Sequence, residues 1–153
     1  MRARLEAQKV SPAAYQAMLG LEMFVRKQSK LEPALLQLIK MRTSQINGCA
    51  YFLDMHSKDA RAEGETGQRL YALSAWKETP FFTDRERVAL ALTEAITLVS
   101  EGHVPDAVYE KAKDSFSQEE LVNLTLAIIT INGWNRLAIT FRMMPGEYQP
   151  GRK

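Results

Sequence analysis

The sequence predicts an all-α fold: one domain of about seven helices. Three observations carry this. No stretch sustains the period-two alternation of a half-buried strand, and no Asn-Gly or Asp-Gly pair lies between two strand-like runs; Asn47-Gly48 is flanked by helical patterns. Apolar residues recur at helical spacing through long windows. Two capping boxes, Thr83-x-x-Glu86 and Ser117-x-x-Glu120, mark helix starts, because a hydroxyl there accepts from the N3 backbone N–H while the acid reaches back to the cap.

Taken in order, residues 1–10 read as an extended arm. Ser11-Pro12 opens a helix, with Ser as cap and Pro at the first helical position. Tyr15, Met18, Leu19, Leu21, Met23 and Phe24 carry it to about Lys27. Glu32-Pro33 opens the next, which Leu35, Leu36, Leu38, Ile39 and Met41 carry to about Ser44. Asn47 is a favoured cap, so a third helix is expected from Asn47 through Leu53 and His56 into Arg61, ended by Gly64. Thr66 caps a helix through Leu70, Leu73 and Trp76, and residues 79–82 form a short apolar loop. The capping boxes then start helices from Asp84 to about Ser100 and over residues 118–143, separated by a shorter one near 105–115. The last is ended by Pro145-Gly146, which leaves 145–153 as a tail. It is apolar almost all round, which predicts burial on every side.

A chain of 153 residues, 46% hydrophobic, can bury one core. Its net charge of +2, from 20 basic and 18 acidic residues, gives no reason to invoke nucleic acid or an anionic membrane. One cysteine excludes a disulfide framework and suits a reducing compartment. The start lacks the apolar core of a signal peptide, and no run reaches the roughly 18 apolar residues of a membrane span. The expectation is a soluble, cytoplasmic protein. One Cys and two distant His make a weak metal set, and no phosphate or dinucleotide glycine motif is present, so neither metal nor cofactor is expected.

The chemistry concentrates in residues 44–56, S-Q-I-N-G-C-A-Y-F-L-D-M-H, which hold Cys49 and one of the two histidines, His56. A cysteine in a helix first turn meets unpaired N–H groups and the positive end of the helix dipole, which favour thiolate. Asn47-Gly48-Cys49-Ala50-Tyr51 followed by His56 resembles the active-site helix of the alkylhydroperoxidase D (AhpD)-like proteins, in the carboxymuconolactone decarboxylase superfamily. The family pattern is Cys-x-x-Cys-x-x-x-His, often with a Glu twelve residues before the first Cys. Blocks around Gly64-Glu65-Thr66, Trp76 to Pro80, residues 83–87 and residues 131–136 extend the similarity over nearly the whole chain. Two positions depart. Phe52 stands where the second cysteine belongs, and Gln37 where the Glu belongs.

The resemblance implies thiol-dependent reduction of alkyl hydroperoxides, recharged by a protein dithiol, in a trimeric or hexameric homo-oligomer. It also implies that the second cysteine, beside the histidine, attacks the peroxide. With Phe52 in its place the two-cysteine cycle is absent. Cys49 and His56 are about 10 Å apart along the helix axis, too far for direct proton transfer, which needs about 2.6–3.2 Å or one water.

Each candidate has a structural alternative. Cys49 is a reactive thiol or a small buried hydrophobe. His56 is a proton relay or a core histidine. Glu94, in the apolar run V-A-L-A-L-T-E-A-I, is either a relay acid facing His56, replacing the Glu that Gln37 displaces, or one half of an ion pair with Arg136. Glu86 and Glu120 are accounted for as capping acids, and Arg136 as an anchor through a buried carboxylate. Three functions stand open: a thiol peroxidase impaired at Phe52, a binding or scaffold protein on the same fold, and a lactone decarboxylase.

Overall fold

Two prolines and three hydroxyl caps set where the helices of the computed structural model begin; it describes residues 2–151. The described residues form α1 (Ala7–Val10), α2 (Pro12–Lys27), α3 (Pro33–Asn47), α4 (Ala50–Ala62), α5 (Gly67–Ala72) with a 3-10 helix (Leu73–Glu78), α6 (Asp84–Thr97), α7 (Val99–Gly102), α8 (Asp106–Ser115) and α9 (Gln118–Phe141). Pro12 and Pro33 open α2 and α3, where the missing N–H costs nothing. Thr66, Thr83 and Ser117 cap α5, α6 and α9 through their side chains, the last two as complete capping boxes. Glu86 and Glu120 do more than cap, since each also receives an arginine, Arg69 and Arg85 respectively.

α3 is the central helix and packs against α4, α6 and α9. On one side Leu35, Ile39, Ala89, Leu92, Leu124 and Ile128 form a core with α6 and α9. On another, Leu38, Met41, Leu73, Trp76, Phe82 and Leu90 join α3 and α6 to α5 and its 3-10 extension. α4 is thereby held on a fixed platform. Among the described residues no helix is long and apolar enough to cross a membrane.

Several expectations are corrected. The amino-terminal arm is not extended throughout; it contains α1, and the Arg4 N–H donates to the Phe141 carbonyl at 2.9 Å. The helix expected over 84–100 stops at Thr97 and turns at Leu98 into α7. α9 is not buried on every side, because Val122, Ile129 and Ile139 are 68%, 50% and 46% exposed on its outer face. Met1 and residues 152–153 of the expected arm and tail lie outside the described residues.

Candidate functional site

The corner between α3 and α4 is two residues long. Gly48 takes the left-handed conformation (φ 64°) that ends α3, which a residue with a Cβ adopts only with strain. Its N–H bonds the Gln45 carbonyl, and the Cys49 N–H bonds that of Ser44. Asn47 therefore closes α3 rather than capping the next helix. Its amide instead enters a buried network: Nδ2 donates to Oδ1 of both Asn132 and Asn135 at 3.0 Å. Asn132 in turn donates to Thr97 Oγ1, and Asn135 to Ser44 Oγ. Four side-chain amide and hydroxyl bonds thus tie the corner to α6 and α9.

Cys49 is the N-cap of α4, one position before the first turn, and its thiol makes no cap hydrogen bond. Its side chain is enclosed by Phe52, Ile131, Trp134 and Ala138 and is 1% exposed. Burial pushes the thiol above its ordinary pKa, and the N–H groups of Phe52 and Tyr51, which act the other way, do not overcome it. The expected thiolate bias is therefore reversed. A helix start lowers a thiol pKa only where the charged form is not also desolvated.

Phe52 sits at the second-cysteine position as a packed aromatic, 6% exposed. Its ring stacks on the His56 imidazole (centroids 5.5 Å apart, 20° between planes) and tilts against Trp134 at 6.3 Å. His56 is 5% exposed, and among the described residues its Nδ1 is buried without a hydrogen-bond partner. Burial, then the nearby Lys40 and Arg26 charges, hold it well below the usual histidine pKa, so the ring is neutral. The nearest carboxylate is Asp59, with Oδ2 4.0 Å from Nδ1.

Glu94 meets neither partner expected of it. Its carboxylate accepts from Arg42 Nε (3.0 Å) and Trp76 Nε1 (2.8 Å) and pairs with Lys77 (2.8 Å). Burial works to raise its pKa, but these three donors together hold it below the usual carboxylate range. Among the described residues Arg136 binds no carboxylate; it donates to the carbonyl and Oδ1 of Asn132 within its own helix. Gln37 donates to Glu63 at 3.1 Å, and its Oε1 is buried without a partner. The structure thus brings Cys49, Phe52 and His56 onto one buried face of α4 and places Glu94 and Gln37 in separate contacts. Sequence reasoning passed over Asp59, although its i,i+3 spacing from His56 signals a shared face. It also passed over the buried Lys40–Glu22 pair at 2.5 Å.

Among the described residues no three His, Cys, Asp or Glu side chains converge as a metal site. A cleft of about 770 Å³ opens beside α4, lined by Met41, Leu53, Ser57, Arg61, Leu70 and Tyr71 among others. None of Cys49, Phe52 or His56 lines it.

Residues 12–95, which hold Gln37, Cys49, Phe52, His56 and Glu94, match the carboxymuconolactone decarboxylase family. The chain belongs to that family. Within it, the chain is 42% identical over 139 residues to the uncharacterized protein YdfG of Bacillus subtilis (strain 168), which covers 91% of this chain and 94% of that one. The crystal structure of ATU0492 from Agrobacterium tumefaciens superposes with a TM-score of 0.92 at 40% identity, covering 96% of this chain and all of that one. ATU0492 is of unknown function and is provisionally assigned to antioxidant defence as AhpD. The AhpD core of an uncharacterized peroxidase-related protein from Ralstonia eutropha JMP134 has a TM-score of 0.80 at 19% identity, covering 92% of this chain and 75% of that one, and so shares the fold. The fold of this family member is AhpD-like, as its motifs implied.

Proposed function

We propose that this family member is an AhpD-like antioxidant thiol peroxidase working with one thiol, Cys49, whose two-cysteine cycle is blocked at Phe52. The observation that carries this is the placement of a lone cysteine at the N-cap of α4, on the face that also holds His56, within the AhpD-like fold. The thiolate attacks a hydroperoxide oxygen, so an S–O bond forms and the O–O bond breaks, and the alkoxide takes up the proton the thiol released and leaves as an alcohol. Cys49 becomes a sulfenic acid. An external thiol then condenses with it, releasing water, and a second thiol frees Cys49 and leaves as the disulfide, with a protein dithiol filling both roles. Glu94 takes no part, since three donors occupy it.

A second reading, a binding or scaffold protein that retains the fold, is favoured by the near-complete enclosure of the thiol. A lactone decarboxylase has no observation of its own in its support. Incubation with an alkyl hydroperoxide and excess small thiol separates the first two. A peroxidase should consume peroxide slowly, label as sulfenic acid at Cys49, and lose both properties in Cys49→Ser. If Cys49 stays unmodified until the protein unfolds, the scaffold reading stands.

The partners proposed are a hydroperoxide, a protein dithiol and further copies of this chain, three or six in all. Between Glu120 and Arg136, α9 carries no charged residue, and Val122, Leu126 and Ile129 form a stripe on its outer face beside Tyr109 of α8. Lys113 of α8 borders the stripe, but the α9 face itself is uncharged and apolar, which suits a second copy of this chain better than a charged partner. Sedimentation should show an oligomer that Ile129→Glu dissociates; a parent that is monomeric at micromolar concentration would remove the proposal.

A further inference from the structure

Four hydrogen bonds tie the end of the chain to α4. Lys58 Nζ donates to the carbonyls of Gly146 (3.2 Å) and Tyr148 (3.0 Å), and Asp54 accepts from the Gly146 N–H (3.0 Å). The fourth runs from the Tyr148 hydroxyl to Asp59 Oδ1 at 2.6 Å. The first three fasten backbone. The fourth ends on a carboxylate whose other oxygen, Oδ2, lies 4.0 Å from the partnerless Nδ1 of His56. That separation is too long for a hydrogen bond.

We propose that Asp59 and Tyr148 are positioning residues for His56: the carboxy-terminal segment holds Asp59 against Nδ1, which keeps the ring proton on Nδ1 and leaves Nε2 as the basic nitrogen. That Nε2 then serves as a base rests on the thiol reading above; the placement of the proton does not.

The surroundings of the ring make Asp59 the group that decides. Lys40 of α3 and Arg26 of α2 both act against a charged imidazole, and Glu22 of α2 is engaged by Lys40 at 2.5 Å. Phe52 covers a face of the ring. Asp59 is thus the anion within reach of Nδ1, and it stays against the Nδ1–H when Nε2 takes a proton. Burial, followed by the bond to Asp59, raises the Tyr148 hydroxyl to about 12, so it remains a donor throughout the neutral range. With Oδ1 fastened, Oδ2 is left toward the imidazole.

The chain has two histidines, so His103→Gln leaves His56 as the one imidazole in the spectrum. Nitrogen-15 shifts of the ring report which nitrogen is protonated. His56 should be mainly Nδ1–H in that background. Asp59→Ala should move the tautomer ratio toward Nε2–H by about tenfold, the effect of removing one charged hydrogen-bond acceptor. Asp59→Asn, whose oxygen is kept by the Tyr148 hydroxyl so that its amide N–H faces Nδ1, should also move the ratio toward Nε2–H, and Tyr148→Phe should move it in the same direction by less. A parent ring protonated at Nε2, or a ratio unchanged by Asp59→Ala, overturns the proposal. If Asp59→Ala does not fold, Tyr148→Phe decides: an unchanged ratio reduces Tyr148 to a tail anchor. Loss of hydroperoxide turnover with the tautomer shifts intact would count against the thiol reading alone.

Discussion

Phe52→Cys is expected to gain dithiol-dependent hydroperoxide turnover while losing about 2–4 kcal/mol of stability. The cost follows from the ring's surroundings. Phe52 is 6% exposed and packs on His56, Tyr51 and Trp134, so a smaller side chain leaves a void among groups held on two helices. In a protein of this size the melting temperature should fall by roughly 5–15 °C. The gain follows from spacing. Residues 49 and 52 are one turn apart at the start of α4, within the roughly 4.4–6.8 Å Cα separation that a disulfide spans. A thiol at 52 is also the i,i+4 neighbour of His56, in the place where the imidazole now meets a phenyl ring. Removing the ring opens the enclosure of Cys49 as well. Peroxide consumption coupled to a dithiol, with thermal melting alongside, measures both effects. A variant that folds and closes its disulfide yet turns over no faster than the parent would show that the missing cysteine does not limit the chemistry, and the scaffold reading would then lead.

Glu94→Ala should destabilise the fold by about 2–4 kcal/mol, because it strands donors that are largely out of water. Arg42 retains Gln45, but Trp76, 5% exposed, loses the acceptor of its indole N–H. Lys77 is exposed and adds little. The same carboxylate makes stability depend on pH. Its folded pKa is lowered, as is that of Glu86, so each contributes stability that is present above the unfolded carboxylate value and is lost as pH falls through the folded one. The parent should weaken progressively below about pH 5. Glu94→Gln should start lower and lose less on acidification. Urea unfolding at neutral and acid pH checks this, and an acid slope in Glu94→Gln equal to that of the parent would rule Glu94 out as a contributor.

Helix starts were the most legible feature of the sequence, because their signals are local. Pro12, Pro33, Thr66, Thr83 and Ser117 each act on N–H groups within a single turn, and all five open helices where expected. The corner at Asn47-Gly48 was misread by two residues, since both caps favour the same residue types; the left-handed Gly48 decides that it ends a helix. Glu94 was rightly singled out as an acid in an apolar run, but its partners came from α3 and the 3-10 helix, and pairing across elements leaves no trace in spacing. Burial was the hardest quantity to read. The Cys49 thiol is raised by neighbours on α9 that lie more than eighty positions away in the chain, and the outer face of α9 is exposed although its residues are apolar.

The amide network around the corner also bears on how the protein ages. Asn-Gly steps are the sites where an asparagine side chain is most readily attacked by the following backbone nitrogen and hydrolysed to aspartate or isoaspartate. The chain has two, Asn47-Gly48 and Asn132-Gly133, and both belong to the network. In the fold each Asn lies within a helix, its Nδ2 held by two acceptors, so the cyclic intermediate cannot form without breaking local structure. In the unfolded chain nothing prevents it. An aspartate at 47 would then present an acceptor to the acceptors Asn132 Oδ1 and Asn135 Oδ1, so a molecule damaged while open is one that closes less well. The asparagines that hold the thiol in place thereby make time spent unfolded irreversible, and samples of this protein carry in their deamidation a record of how long they were open.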